Sequence, residues 1–528
     1  MHPDLAFARS AVRRFSRATN FLLTGRTFAV LGDDPRGRAV RQVLLACGGR
    51  ETGDAPDHLF VVGDVTWPEI AAHHPAIVAD AHGSLVDALI GPAHGVPAHD
   101  VLPASRDGIL LVDGIPIVAI APELPPQPAL PGAAGRMSWA ADHMPLTASF
   151  ARDLLDHGAL TGRRIAVSMV LEPKTAVLAL ALRHAGAEVA VFSHRYETDD
   201  AVAAHLRSLG VPVFAEANGD AEHDRELALR LLDTDPDLLL DDGAHVIRLA
   251  HAERPGLLDR MVGAAEETTS GVRALIEMGS DLRLPVIAVN DAITKTRFDN
   301  RYGTGQSCVF ALADTLEAVT DRLRVSSFQG ARVAVFGFGP VGQGVAQFAA
   351  VLGATVTVVD VDPRAELEAR YAGYATGCAD DVVASSDIVI SATGVARTVT
   401  LDLLGRAPRG AVFAVAGGVD DEIETSRLRA QAPGRRVGDH VEEFDLDVGR
   451  EIVLIDGGGC VNITSGEGNP IQIMDLSFAA QLQAVRTLLA AQDRRAGLAA
   501  LPEEADREIA RRALGGEASP RGTNGTRR

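Results

Sequence analysis

The chain has 528 residues, 47% hydrophobic and 23% charged, with a formal net charge of −20. That is the profile of a soluble globular protein with roughly two to four domains, and its acidity argues against nucleic acid or an anionic membrane as partner. Four dispersed cysteines, Cys47, Cys308, Cys378 and Cys460, form no CxxC, which predicts reduced thiols, a cytoplasmic setting and no metal site.

The N-terminus carries no apolar stretch long enough for a signal peptide, and no run is long enough to span a bilayer. Three strand-like runs, "TFAVLG", "HLFVVGD" and "AIVAD", alternate with helix-like stretches in the first 80 residues and predict a small N-terminal α/β domain over 1–130. In it, "AVLGDDPRGRAV" reads as strand, turn and helix. The Pro-rich "APELPPQPALPGAAG" (121–135) reads as a linker. From about 140 to 300, strands such as "RRIAVSMV", "AEVAVFS" and "LLLDD" alternate with helices, an α/β pattern with a mostly parallel sheet. No internal sequence repeat is evident, and the polar end "GGEASPRGTNGTRR" reads as a disordered tail over 516–528.

"ARVAVFGFGPVGQGVAQFAAVLGATVTVVDVDP" begins a new βαβ unit. Gly337, Gly339 and Gly342 stand in G-x-G-x-x-G spacing between a strand and a helix, with Pro340 and Val341 in the turn. Glycines there permit a tight turn and close approach of backbone N–H groups to a pyrophosphate. Asp360 ends the next strand, where a carboxylate accepts the ribose hydroxyls of NAD and repels the phosphate of NADP. Arg364 nearby leaves NADP open as a lesser alternative.

"VNDAITKTRFDNRYG" (289–303) crowds Asn290, Asp291, Lys295, Asp299 and Asn300 behind the apolar run "LPVIAV". Lys295 and Asp299 are four apart, so one helical turn puts them on one face. From spacing alone the pair is equally an ordinary ion pair on a helix surface.

With "DDG" (241–243), "EETTSGV" (266–272), "GFGPVGQG", "VDVDP", "SATG" (391–394), "VDDEIE" and "VNITSGEGNP…SFAAQ", these segments carry a resemblance. Over roughly 136–515 the chain resembles the S-adenosylhomocysteine hydrolases. The resemblance implies a Rossmann NAD-binding domain (306–463) inserted in a second α/β substrate domain, whose first part is 136–305 and whose return, with a C-terminal helix, is 464–515. It also implies a tightly held NAD, and a homo-oligomer, dimer or tetramer. The family oxidises a ribose hydroxyl, removes the neighbouring acidified ring proton, expels the 5′ substituent, adds water and reduces the carbonyl again.

By the same resemblance, Lys295 and Asp299 handle the hydroxyl to be oxidised and Asp242 is the candidate base. Glu267 holds the ribose diol. Thr268, Thr269, Ser270, Asn300, Thr393 and Asn462 line the NAD. The pattern also breaks. Val170, Gly418 and Asn469 replace histidines of the family, Thr304 replaces a cysteine, and Glu172 and Lys174 stand where adenine is read. His245 stands where a carboxylate is usual, and takes a catalytic role if it replaces part of the lost proton transfer. The late Lys- and Tyr-containing tail of the family is not found.

The resemblance and its breaks together predict an NAD-dependent enzyme acting on a nucleoside or sugar-like small molecule by transient oxidation and β-elimination, a lyase or dehydratase of specialised metabolism. The substrate-binding residues are then Glu267, Glu172, Lys174, Asn469 and Thr304. The alternatives are an adenosylhomocysteine hydrolase with a rearranged site and a non-catalytic NAD-binding regulator.

Overall fold

The computed structural model describes residues 3–83, 85, 101–121, 132–419, 421–446, 450–493 and 495–515. Most of the expected linker (122–131) and the expected tail (516–528) lie outside the described residues. No described helix is long and apolar enough to cross a membrane.

The apolar runs assemble into three sheets, each mainly parallel. Runs such as His58–Val61, Leu238–Asp241 and Ile388–Ser391 are buried at every position, as strands covered on both faces by helices must be. The fold is α/β: a Rossmann sheet inserted in a second α/β sheet, with a smaller N-terminal α/β unit.

The N-terminal sheet has seven strands, among them the three runs expected in the first 80 residues. Its parallel part is Arg50–Glu51, Thr27–Leu31, His58–Val61, Val78–Asp80 and Ile115–Ala119. Ile109–Val112 and Val101–Pro103 then continue it antiparallel. The middle sheet is wholly parallel, and its last strand, Gly497–Ala500, comes from the far end of the chain to pair with Pro285–Ala288. The third sheet places Arg332–Phe336 between Thr355–Val359 and Ile388–Ser391, the Rossmann arrangement.

Two turns share one geometry. A Cβ on Gly342 would stand 1.9 Å from the Gly337 carbonyl oxygen, and a Cβ on Gly37 would stand 2.0 Å from that of Gly32. Both turns lead from a strand into a helix whose first residue is proline, Pro340 or Pro35. At the position of Gly339 the N-terminal turn has Asp34, whose carboxylate caps its own helix by accepting the Gly37 N–H at 2.7 Å. The N-terminal unit thus has a dinucleotide-type turn with a carboxylate where a phosphate would approach.

Candidate active site

A cavity of about 710 Å³ lies between the middle sheet and the Rossmann sheet, at the C-terminal ends of their strands. Ligands of open α/β sheets bind at such strand ends. The loops that follow Leu238–Asp241, Gly263–Glu266 and Pro285–Ala288 bring Asp242, Glu267 and Lys295 to one wall.

Lys295 sits in the short helix Ile293–Thr296, whose N-terminus is capped from the C-terminal helix Glu503–Ala513. Asp506 there accepts the N–H groups of Ile293 and Thr294 and the Thr294 hydroxyl. Asp299 starts a π-helical turn, Asp299–Gly303, so the pair is not on one continuous α-helix as its spacing suggested. The contact forms all the same. Lys295 Nζ stands 3.2 Å from Asp299 and 3.6 Å from Glu267, with all three side chains only about 5% exposed. Lys295 also donates to Asn300 Oδ1 at 2.9 Å. The bland reading of a surface ion pair is therefore wrong.

Five carboxylates, Asp241, Asp242, Glu266, Glu267 and Asp299, share this region with one lysine. Burial pushes Glu267 up to about 8, with Lys295 opposing. Burial pushes Asp241 up to about 6, and lifts Asp242 above the usual range against Lys295 and His245. Glu266 is raised well above that range by burial and then by Asp241 and Asp242. On Lys295, burial favours the neutral amine, but Asp299, Glu267 and Asp242 outweigh it, and the ammonium is retained. Glu266 also fixes the loop that carries Asp242 and His245, accepting the N–H groups of Gly243 and Ala244 between them. His245 packs edge-on against His194, with ring centroids 4.7 Å apart.

Asn469 donates to Asp299 and to Thr304 Oγ1, and accepts from Ser307 and Asn462. The sequence reading missed two further side chains on the buried helix Ile471–Ala490. Ser477 donates to Asp299 at 2.9 Å and Gln481 to Glu267 at 2.6 Å. Their signal was two polar residues four apart, on one face of a largely buried helix. Asn290 was noticed but given no role; it accepts from Thr269 and Asn300.

The Rossmann side of the cavity fits NAD. Gly342 packs under the turn, while a Cβ on Gly339 would have nothing within 4 Å, so that residue faces open space. Asp360 receives the N–H groups of Phe338 and Asp362, which aims its carboxylate at the turn. Pro340, Val341, Thr268, Thr269, Ser270 and Thr393 also line the cavity. Thr393 is held by the buried Glu422, whose other oxygen has no hydrogen-bond partner.

Lys174 is the exception among the proposed substrate residues. It is 2% exposed and turned away from the cavity. It pairs with Glu172 at 2.6 Å and donates to the Glu467 carbonyl oxygen at 2.6 Å and Asn20 at 3.2 Å. Glu172 does line the cavity, but it caps its own helix, receiving the Lys174 and Thr175 N–H groups. Val170 and Gly418 line the wall, and a Cβ on Gly418 would meet nothing within 4 Å. His245 is the one histidine among the described lining residues. Among the described residues no His/Cys/Asp/Glu group is arranged to hold a metal.

Two family models match the chain: "S-adenosyl-L-homocysteine hydrolase" over residues 133–256 and "S-adenosyl-L-homocysteine hydrolase, NAD binding domain" over 300–468. The chain belongs to the S-adenosyl-L-homocysteine hydrolase family, and NAD is its cofactor. It is 38% identical to the S-inosyl-L-homocysteine hydrolase of Methanopyrus kandleri over 71% of this chain and 88% of that one. It is 37% identical to the adenosylhomocysteinase of Thermotoga maritima over 72% and 93%. With that of Pyrococcus abyssi it shares 38% identity over 71% and 88%. The first 132 residues lie outside both family models.

Proposed function

We propose that the protein is an NAD-dependent lyase acting on a nucleoside or sugar-like substrate. A ring hydroxyl is oxidised transiently, the neighbouring ring proton is removed, a β-substituent leaves, and the carbonyl is reduced again. The observation that carries this reading is the make-up of the cavity wall. Asp242, Glu267, Lys295 and Asp299 stand together around it, whereas Val170 and Gly418 offer no proton-carrying group where the family resemblance expects histidines.

NAD, when bound, supplies the reversible two-electron oxidation of the ring carbinol. Lys295 holds the hydroxyl oxygen as an ammonium donor, and Asp299 takes its proton. Glu267 Oε1, buried with no hydrogen-bond partner, receives the adjacent hydroxyl. Asp242 removes the proton next to the carbonyl, and its burial keeps its basicity above that of an ordinary carboxylate. His245 protonates the leaving substituent. The sum is loss of HX with no net change of oxidation state, leaving an exocyclic alkene. His245 is the one histidine among the described lining residues, where the family resemblance expects several, and this favours a reaction that ends at elimination.

A second reading draws on the relatives named S-inosyl-L-homocysteine hydrolase. In it water adds after elimination and an S-nucleosyl-homocysteine is hydrolysed. The two are separated by incubating holoenzyme with S-adenosyl- and S-inosyl-L-homocysteine and titrating released thiol, and with adenosine and inosine while following loss of one water by mass spectrometry. Water loss from a nucleoside without return of the hydrated form supports the lyase. Sustained formation of free nucleoside and homocysteine supports the hydrolase.

A further inference from the structure

The N-terminal unit contacts the segment beside the cavity by one buried side chain, Arg106, and one half-buried one, Asn20. Arg106, on the loop between Val101–Pro103 and Ile109–Val112, is 2% exposed. It makes a two-point contact with the Glu467 carboxylate and also donates to the carbonyls of Arg17 and Ala18. Glu467 is completed by Arg136, which donates to it at 3.1 Å. This ion cluster holds Glu467 below the usual carboxylate range: burial opposes ionisation, but Arg106, Lys174 and Arg136 outweigh it.

Asn20 is the second contact. It has φ +56°, a left-handed conformation that places its side chain and carbonyl on opposite partners. Oδ1 accepts from Lys174, and the carbonyl oxygen accepts the Ile471 N–H at 2.9 Å. Around it, Leu22 N–H donates to Gln472 and Leu23 N–H to Gln306. Residues 16–23 therefore bridge helices Pro173–His184, Thr304–Ala318 and Ile471–Ala490, and Glu467 lies in the strap between Thr464 and Ile471. That strap carries Asn469, which donates to Asp299.

We propose that the N-terminal unit is a clamp on the active site: Arg106 and Asn20 are positioning residues that hold the 465–470 strap so that Asn469 stays on Asp299, and that keep Lys174 out of the cavity. Two features support a built contact over an incidental one. A fully buried arginine is retained only where its charge is paired, and both contacts meet at Glu467 of the strap, Arg106 directly and Asn20 through Lys174, which donates to the Glu467 carbonyl oxygen. The assignment of a catalytic consequence rests on the reading of Asp299 as a proton acceptor; the holding of the strap does not.

The test uses full-length holoenzyme and two substitutions. Asn20→Gly keeps the left-handed backbone and removes only the side-chain acceptor. Arg106→Lys keeps the charge and loses the two-point contact. Hydrogen–deuterium exchange is read on peptides covering 461–472, with Arg332–Phe336 as internal reference. Loss of one charge-assisted hydrogen bond predicts exchange faster by about tenfold in the strap and unchanged in the reference. Arg41→Gln, at the exposed Arg41–Glu51 pair of the same unit, should leave the strap at the wild-type rate. The second readout is reduction of bound NAD by adenosine. Its rate constant should fall in both variants while NAD content and the adenosine KM change little. Strap exchange at the wild-type rate in the folded Asn20→Gly protein overturns the clamp, as does exchange equally fast in Arg41→Gln. If the strap loosens but adenosine never reduces NAD even in the wild type, the clamp stands and the nucleoside reading falls.

Discussion

Lys295 Nζ stands 3.2 Å from Asp299 and 3.6 Å from Glu267, so a single buried cation serves two buried carboxylates. Removing it leaves Asp299 without its counter-charge and takes away the donor proposed for the substrate oxygen. Lys295→Met should retain NAD yet lose its reduction by a nucleoside by about 10² to 10⁴-fold, the usual worth of one proton-transfer group. Single-turnover absorbance of the reduced nicotinamide checks this. Near-normal turnover would return the pair to a structural role.

Glu267 titrates at about 8, raised from an ordinary 4.5 chiefly by burial. The folded state therefore binds a proton that the unfolded state has released, and this contribution to stability is present below the unfolded value and lost as pH rises through the folded one. Glu267→Gln abolishes that loss. Thermal melts from about pH 5 to about pH 8.5 should show the wild type falling relative to Glu267→Gln across this window. Parallel curves would show that Glu267 is not protonated in the folded protein.

The paired turns at Gly32 and Gly337 predict the cofactor stoichiometry. Asp34 occupies the phosphate side of the N-terminal turn, and Gly339 leaves its counterpart open. Denatured protein should release one NAD per chain, not two, and NAD in preference to NADP. Asp360→Ala should weaken NAD by about 1 to 3 kcal/mol, the range for an unmade hydrogen bond to a charged group. Calorimetric titration of reconstituted protein measures both.

Asp506 caps the four-residue helix that carries Lys295. Asp506→Ala should destabilise the protein by about 0.5 to 2 kcal/mol and slow NAD reduction without lowering NAD content. Denaturant melts and turnover together test this. A stability loss with unchanged turnover would separate the cap from the placement of Lys295.

The parallel strands and the glycine turn were legible because they depend on local periodicity and on a motif whose steric reason is contained in six residues. The hairpin at 109–119 was legible too but was missed: Asp113 and Gly114 both have positive φ, and "DG" between apolar runs is a strong hairpin signal. The direction of Lys174 was not legible. It is fixed by Asn20 and Glu467, 154 and 293 residues away in the chain, and no spacing rule links them. The π-helical turn at Asp299 was likewise invisible, since the i,i+4 spacing fits an α-helix equally well. The first 132 residues gave a fold class but no role, because a contact surface leaves no motif.

The proposed reaction oxidises a nucleoside ring and then removes the neighbouring proton. It is tested most directly by incubating wild-type holoenzyme with adenosine or inosine in deuterium oxide and recovering the nucleoside for mass spectrometry and proton NMR. One deuterium is expected at the ring carbon beside the oxidised one, with incorporation lost in Asp242→Asn while that variant still reduces its bound NAD. Unlabelled nucleoside recovered from enzyme whose NAD has been reduced would contradict it.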